Sequence, residues 1–249
     1  ERVEKHFERG MGQIEAGALS KARLEFRNAL RIDPNHTASR YQMGLMAEEQ
    51  GNISGAAAQY ARVAELDPQN FDVRVKLAQF NLARGELDTA KAYAEEALAL
   101  EPDTPTALAV YAGILYRLED HGGAIDTAQR AIAIDPDSVA AHVIILSDMI
   151  RRDARDEAMA EVDTLLDRLP EDEALNIFKL QMLGAVGDTN GLERHLVQMT
   201  TLFPEREQYR VALSQLYLSL DRPAEAEDQM RFLLAAEPED TDRALGLVQ

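Results

Sequence analysis

Small and apolar residues recur along this chain at a fixed spacing, and the segments between them are rich in charge. In the first four segments one small residue returns every 34 positions, at Gly10, Gly44, Ala78 and Ala112. A second column of small residues follows each of these, at Ala22, Ala56, Ala90 and Ala124. Each segment is long enough for two amphipathic helices and a tight turn. The pattern predicts that the first pair covers Val3 to Glu15 and Leu19 to Arg31.

The prolines obey the same period. Seven of the nine prolines are 34 residues apart, namely Pro34, Pro68, Pro102, Pro136, Pro170, Pro204 and Pro238. A proline lacks the backbone N–H, and its ring clashes with the preceding helical turn, so each one ends a helix and begins a new segment. A period kept over the whole chain indicates stacked repeats, each packed on its neighbours, rather than one globular core.

The turn inside each repeat is predicted from its glycines. Gly17, Gly51, Gly85 and Gly187 share one repeat position. Glycine adopts a left-handed backbone at no steric cost, which suits the end of the first helix. Glu119, Asp153 and Asp221 stand at that position in the other repeats. We therefore expect those three turns to use another geometry.

The columns of small residues mark where the two helices of a repeat approach closely. We expect Gly10 to meet Ala22 in the first repeat, because a bulky residue at such a crossing would overpack it by about 1–3 kcal/mol. Later repeats carry Leu146, Leu180 and Leu192 in these columns. The fifth and sixth repeats are therefore predicted to have more widely spaced helices.

The repeat length and its residues resemble the tetratricopeptide repeat (TPR) family. The first repeat carries Gly10, Ala22, Phe26, Ala29 and Pro34 where that family has a small residue, an alanine, an aromatic residue, an alanine and a proline. The resemblance implies an all-α fold, an α-solenoid in which antiparallel helix pairs form a right-handed superhelix.

On this interpretation residues 1–240 hold seven repeats, with bounds 3–36, 37–70, 71–104, 105–138, 139–172, 173–206 and 207–240. Residues 241–249 read as the truncated first helix of an eighth repeat, with no second helix to cover its apolar side. We therefore expect the natural protein to continue past Gln249. The uncovered C-terminal edge also suggests self-association as one kind of interaction.

Charge and composition narrow the class of partner. The formal net charge of −18 argues against nucleic acid, which requires clustered lysine and arginine. No apolar run has the length of a membrane span, so we expect none in this segment. There are no cysteines, which leaves no thiolate nucleophile and no disulfide.

Catalytic and metal-binding motifs are missing from the sequence. The five histidines occupy different repeat positions, and no two of them have the spacing of a metal-binding pair. They are His6, His36, His121, His142 and His195. The chain has no HExxH, no GxSxG and no phosphate-binding glycine loop. We therefore expect neither an enzyme nor a bound cofactor.

In the TPR family the first helices of the repeats line a concave groove, and the resemblance implies which residues do so here. The candidates for partner binding are Tyr41, Tyr116, Arg117, Ile144, Arg151, Phe178 and Gln181. Aromatic anchors commonly carry the energy of an interface. Val143 and Ile177 fit the groove and the core equally well. Arg117 and Arg151 fit either of two roles. They could form a basic surface that binds a carboxylate of the partner, or they could have the commoner role of cations that interact with the dipole at helix C-termini.

The function implied is a protein–protein interaction scaffold that binds a peptide or helix in the groove. Residues 21–52 also resemble bacterial TPR proteins, many of them exported or lipid-anchored and linked to envelope or exopolysaccharide assembly. This favours the bacterial periplasm or envelope over the cytoplasm. The alternative is the regulatory TPR arm of a larger enzyme whose catalytic domain lies outside this sequence.

Overall fold

The computed structural model describes residues 1–236, and within that range every regular element is an α-helix. The helices are α1 (Arg2–Glu15), α2 (Leu19–Ile32), α3 (Thr37–Glu49), α4 (Ile53–Leu66), α5 (Phe71–Arg84), α6 (Leu87–Leu100), α7 (Pro105–Arg117), α8 (His121–Ile134), α9 (Val139–Arg151), α10 (Arg155–Arg168), α11 (Glu173–Val186), α12 (Thr189–Leu202), α13 (Glu207–Ser219) and α14 (Pro223–Ala236). The all-α class is confirmed, and the first two helices lie within one residue of their predicted bounds.

Within the described residues the chain divides into two compact units, residues 1–148 and residues 149–236. In the first unit α1 packs on α2, α3 on α4, α5 on α6 and α7 on α8, and each pair also touches the next. The second unit continues the pattern with α11 on α12 and α13 on α14. This is the predicted solenoid of helix pairs. The division into seven repeats stays a prediction, and its segment 241–249 lies outside the described residues.

The small residue of a first helix faces the aromatic residue of its partner helix, which corrects one prediction. A Cβ atom placed on Gly10 would lie 2.5 Å from Cε1 of Phe26, and one on Gly44 would collide with Tyr60. Gly10 was expected to meet Ala22, but the nearest side chain is the Phe26 ring. Both rings are fully buried, and they are the two largest fully buried side chains in the described residues, so the glycines make room for them.

The three turns that lack glycine have the same backbone as those that contain it, so the expected difference in geometry was wrong. Glu119, Asp153 and Asp221 have φ angles of 64°, 64° and 58°. The four turn glycines have φ between 69° and 78°. The stacking of the helices therefore imposes a left-handed residue at this position even where the side chain disfavours it.

The Asp-Pro step between repeats forms its own hydrogen-bonded turn. Oδ1 of Asp33 accepts a hydrogen bond from the backbone N–H of Asn35 at 2.9 Å. The equivalent bonds from Gln69 to Asp67 and from Asp137 to Asp135 measure 3.2 and 3.1 Å. The carboxylate thus stabilises the chain reversal that the following proline begins.

The helices of the sixth repeat are less closely packed than those of the first. The backbones of α11 and α12 come within 8 Å of each other at fewer places than those of α1 and α2. Leu180 and Leu192 lie partly buried in this repeat, against the core that Leu196 and Leu213 form. Leucines in place of glycine and alanine keep the two helices apart, which supports the predicted wider spacing.

Candidate partner-binding site

The seven predicted residues are shared between the two compact units. The first unit contains Tyr41, Tyr116, Arg117 and Ile144, and the second contains Arg151, Phe178 and Gln181. Within the second unit, Phe178 and Gln181 line one pocket. Tyr41 lines a separate depression in the first unit.

The Phe178 pocket is an open hollow of about 250 Å³ with an apolar lining. Its apolar walls are Ile150, Met159, Phe178, Met182, Ala185 and Val186. Arg155, Asp156 and Gln181 complete its lining. Phe178, Met182 and Val186 are spaced by four residues along α11, so they share one helix face. Val186 is 53% exposed, so the apolar face of α11 extends to the surface at this end of the helix.

The residues at one border of the pocket differ from their counterparts one repeat earlier. Ile150 lies 34 residues after Tyr116, and Arg155 lies 34 residues after His121. In the first compact unit the rings of Tyr116 and His121 pack together with centroids 4.9 Å apart. The equivalent place in the second unit holds a smaller aliphatic residue and an exposed arginine. An unfilled apolar hollow remains beside Phe178.

Charged groups border this hollow. Nη2 of Arg155 lies 3.6 Å from Oδ1 of Asp153. Asp156 occupies the first turn of α10, where its carboxylate interacts favourably with the positive end of the helix dipole. An apolar floor beside charged and amide groups is typical of the anchor pockets of protein interfaces. Such a site can bury an apolar side chain while the polar groups remain in water.

The structure favours ordinary structural roles for several other candidates. Arg117 and Arg151 are the last residues of α7 and α9 and are exposed, which matches the interpretation as cations near helix C-termini. Ile144 packs against the core around Leu108, and Ile177 packs against Met199 and its neighbours. Ile144 and Ile177 therefore contribute to the packing of the first helices.

Tyr41 belongs to a second hollow, the Tyr41 pocket, of about 360 Å³. It lies among α3, α5 and α7, which are all first helices of their pairs. Burial raises the pKa of Tyr41, and the nearby charges of Asp72 and Glu48 raise it further. The hydroxyl therefore stays protonated in an electronegative setting.

The sequence predicted Tyr41, Phe178 and Gln181 but missed Met159, Met182 and Val186, which line the Phe178 pocket. One usable signal was the change from Tyr116 to Ile150 at the same repeat position. Another was the run of apolar residues that continues to the end of α11. Neither signal reveals a pocket without the positions of the neighbouring helices.

Among residues 1–236, no three histidine, aspartate or glutamate side chains come together in a way that could hold a metal ion. No helix in the described part of the chain combines the length and apolarity needed to cross a bilayer.

The paired, stacked helices define an α-solenoid whose first helices carry open hollows. A family model described as Tetratricopeptide repeat matches residues 7–71, and another with the same description matches residues 47–114 and 81–144. These matches together extend over more than half of the chain. The chain belongs to the tetratricopeptide repeat family. No curated protein sequence matches it significantly.

Solved structures share this fold at low sequence identity. A tetratricopeptide repeat protein from Parabacteroides merdae ATCC 43184 has a TM-score of 0.69 and 17% identity, over 99% of this chain and 97% of that one. PilW, described as a widely conserved type IV pilus biogenesis factor, has a TM-score of 0.67 and 15% identity, over 85% and 98%. The human IFIT1 dimer with m7Gppp-AAAA has a TM-score of 0.67 and 16% identity, over 95% and 60%. At these identities the likeness shows the fold alone.

Tetratricopeptide repeats are generally non-catalytic scaffolds for protein–protein interaction, so the family supports protein partners for this chain. The exclusion of nucleic acid and self-association through the C-terminal edge stay predictions. The first rests on the acidic charge, and the second concerns residues outside the described range.

Proposed function

We propose that this chain is a scaffold that holds a partner protein by a peptide or helix, one apolar side chain of which enters the Phe178 pocket. The observation that carries the proposal is the open apolar hollow between Ile150 and the α11 face of Phe178, Met182 and Val186. Its volume of about 250 Å³ is below the roughly 300–1,000 Å³ of pockets that take drug-sized ligands. A single large side chain fits it better than a small-molecule substrate does.

The energetic effect of such an anchor can be estimated. Full burial of a leucine, methionine or phenylalanine side chain contributes about 1.5–3 kcal/mol. That corresponds to roughly ten- to hundredfold in Kd. Further contacts along the first helices would add specificity, as in other helix-in-groove complexes.

The cellular setting is a separate part of the proposal. We place the scaffold in bacterial envelope or exopolysaccharide assembly, because its first repeats resemble bacterial TPR proteins of that kind. Fractionation of cells that express the full coding sequence would test this. Recovery in the cytoplasm would contradict the envelope setting and leave the pocket proposal unchanged.

The pocket is tested with peptides selected from a random 12-residue display library against residues 1–249. We expect enriched peptides to share one large apolar residue. Ile150→Tyr should place a ring in part of the hollow, as the residue at this repeat position is Tyr116 one repeat earlier, and should weaken the best peptide at least tenfold. Phe178→Ala should also weaken it, by removing one wall.

The matched control is Ile134→Tyr, the same substitution at a 48% exposed isoleucine outside the pocket. It should leave binding unchanged, and circular dichroism should show native helix content in all variants. Peptides that bind wild type and Ile150→Tyr equally well, or a selection that enriches no apolar residue, would remove the pocket from the proposal.

A further inference from the structure

The Tyr41 pocket lies in the first compact unit and is built differently from the Phe178 pocket. Two aromatic residues, Tyr41 on α3 and Phe71 on α5, share it with the carboxylate of Asp72. Thr104 and Thr106 border it from the α7 side. A smaller hollow beside it also contains Tyr41 and Asp72. These two residues therefore stand at the centre of a wider depression in this part of the surface.

The charge of this pocket is negative once its internal pairs are counted. Lys76 is neutralised, because its Nζ lies 2.9 Å from Oε1 of Glu48. The other oxygen of Glu48 accepts a hydrogen bond from the Tyr60 hydroxyl at 2.9 Å. Asp72 is exposed and forms no hydrogen bond or ion pair with another side chain in residues 1–236. Its carboxylate is left to face the pocket beside the aromatic rings.

From this arrangement we propose that the Tyr41 pocket binds an arginine side chain of a partner protein. A guanidinium is planar, so it can stack on an aromatic face and donate two parallel hydrogen bonds to a carboxylate. The hydroxyl oxygens of Thr104 and Thr106 offer further acceptors at the border. The net charge of −18 also favours the approach of a cationic segment. The inference goes beyond the Phe178 pocket and does not depend on it.

Asp72 also has a structural role that must be separated from ligand binding. It is the second residue of α5, where a carboxylate stabilises the helix N-terminus. Asp88 is the second residue of α6 and has the same role, but it lines neither hollow at Tyr41. Replacing either aspartate removes the same interaction with a helix dipole. Only the Asp72 replacement changes the pocket.

The test uses N-acetyl-arginine amide and its uncharged isostere N-acetyl-citrulline amide as probes of residues 1–249. Binding is followed by amide chemical shifts in nuclear magnetic resonance spectra. We expect saturable shifts in α3, α5 and the start of α7 with the arginine probe, and about tenfold weaker binding of the citrulline probe. Asp72→Asn should weaken the arginine probe by about tenfold, whereas Asp88→Asn should not.

Tyr41→Leu provides a second variant, since it keeps an apolar side chain and removes the ring. It should weaken the arginine probe several-fold by removing the cation–π contact. The proposal is overturned by equal binding of both probes, by equal effects of Asp72→Asn and Asp88→Asn, or by shifts confined to other acidic surfaces. The Ile150→Tyr variant should bind the arginine probe as tightly as wild type does. The two pocket proposals can therefore be refuted separately.

Discussion

The close approach of Gly10 to Phe26 makes a sharp prediction about the stability of the first helix pair. In Gly10→Ala, the new methyl group would start 2.5 Å from Cε1 and 2.8 Å from Cδ1 of Phe26. Neighbouring carbon atoms in a packed core are separated by about 3.5–4.0 Å. The ring or the helix must therefore move by about 1 Å. Phe26 is fully buried, so it has little room to do so.

The magnitude follows from two opposing terms. Overpacking a core costs about 1–3 kcal/mol. Alanine in place of glycine inside a helix gains about 0.5–1 kcal/mol. The net expectation is a loss of about 1–2 kcal/mol. Gly12→Ala is the matched control on the same helix, because nothing lies within 4 Å of its added Cβ. That variant should gain about 0.5–1 kcal/mol.

A double-mutant cycle isolates the contact. Phe26→Ala alone should cost about 3–5 kcal/mol through the cavity it leaves. In that background Gly10→Ala should change sign and become stabilising, because the obstructing ring is gone. The double variant also reproduces the pairing of the third repeat, where Ala78 and Ala94 share one core cluster.

Amide hydrogen exchange in α1 and α2 is the right measurement, because repeat arrays open locally and need not unfold in one step. Protection of α1 and α2 should fall in Gly10→Ala and rise slightly in Gly12→Ala. If Gly10→Ala behaves like Gly12→Ala, or remains destabilising after Phe26→Ala, the ring contact does not explain the small residue at this position.

Two further predictions concern the turns and the buried histidine. Glu119→Gly should stabilise the chain by about 1 kcal/mol, because Glu119 has a φ of 64° and glycine adopts this region freely. Gly85→Ala should destabilise the chain by a similar amount, because Gly85 has a φ of 78°. Thermal unfolding measures both effects. Burial lowers the pKa of His195, which favours the neutral ring in the folded chain. In the unfolded chain the same ring binds a proton below about pH 6.5. Stability should therefore fall as the pH drops from 7 to 5. His195→Gln keeps a donor for the Asn176 carbonyl, 3.1 Å from Nε2, and should show a weaker pH dependence in urea titrations.

The helix pairs could be predicted because their cause is local. A proline such as Pro34 ends a helix wherever it stands, and the apolar period defines which face is buried. These effects depend on residues within one or two helical turns. The structure accordingly starts α2 at Leu19 and ends it one residue beyond the predicted Arg31.

The turns and the crossing contacts depend on more than local preference. Glu119 disfavours a left-handed backbone, yet the packing of α7 on α8 forces it into one. The partner of Gly10 depends on how far one helix slides along the other, and residue spacing does not specify that distance. The same limit applies to Met182 and Val186, whose pocket exists only through the positions of α10 and α11.

Binding sites in such an array arise where one repeat departs from its neighbours. A regular stack fills each position with the same side chain and leaves no distinctive hollow. Tyr116 and His121 pack ring against ring at one repeat position, whereas their counterparts Ile150 and Arg155 line the Phe178 pocket. Ile150→Tyr is therefore expected to weaken peptide binding at least tenfold while preserving the fold. Stability and recognition can then vary independently at one repeat position.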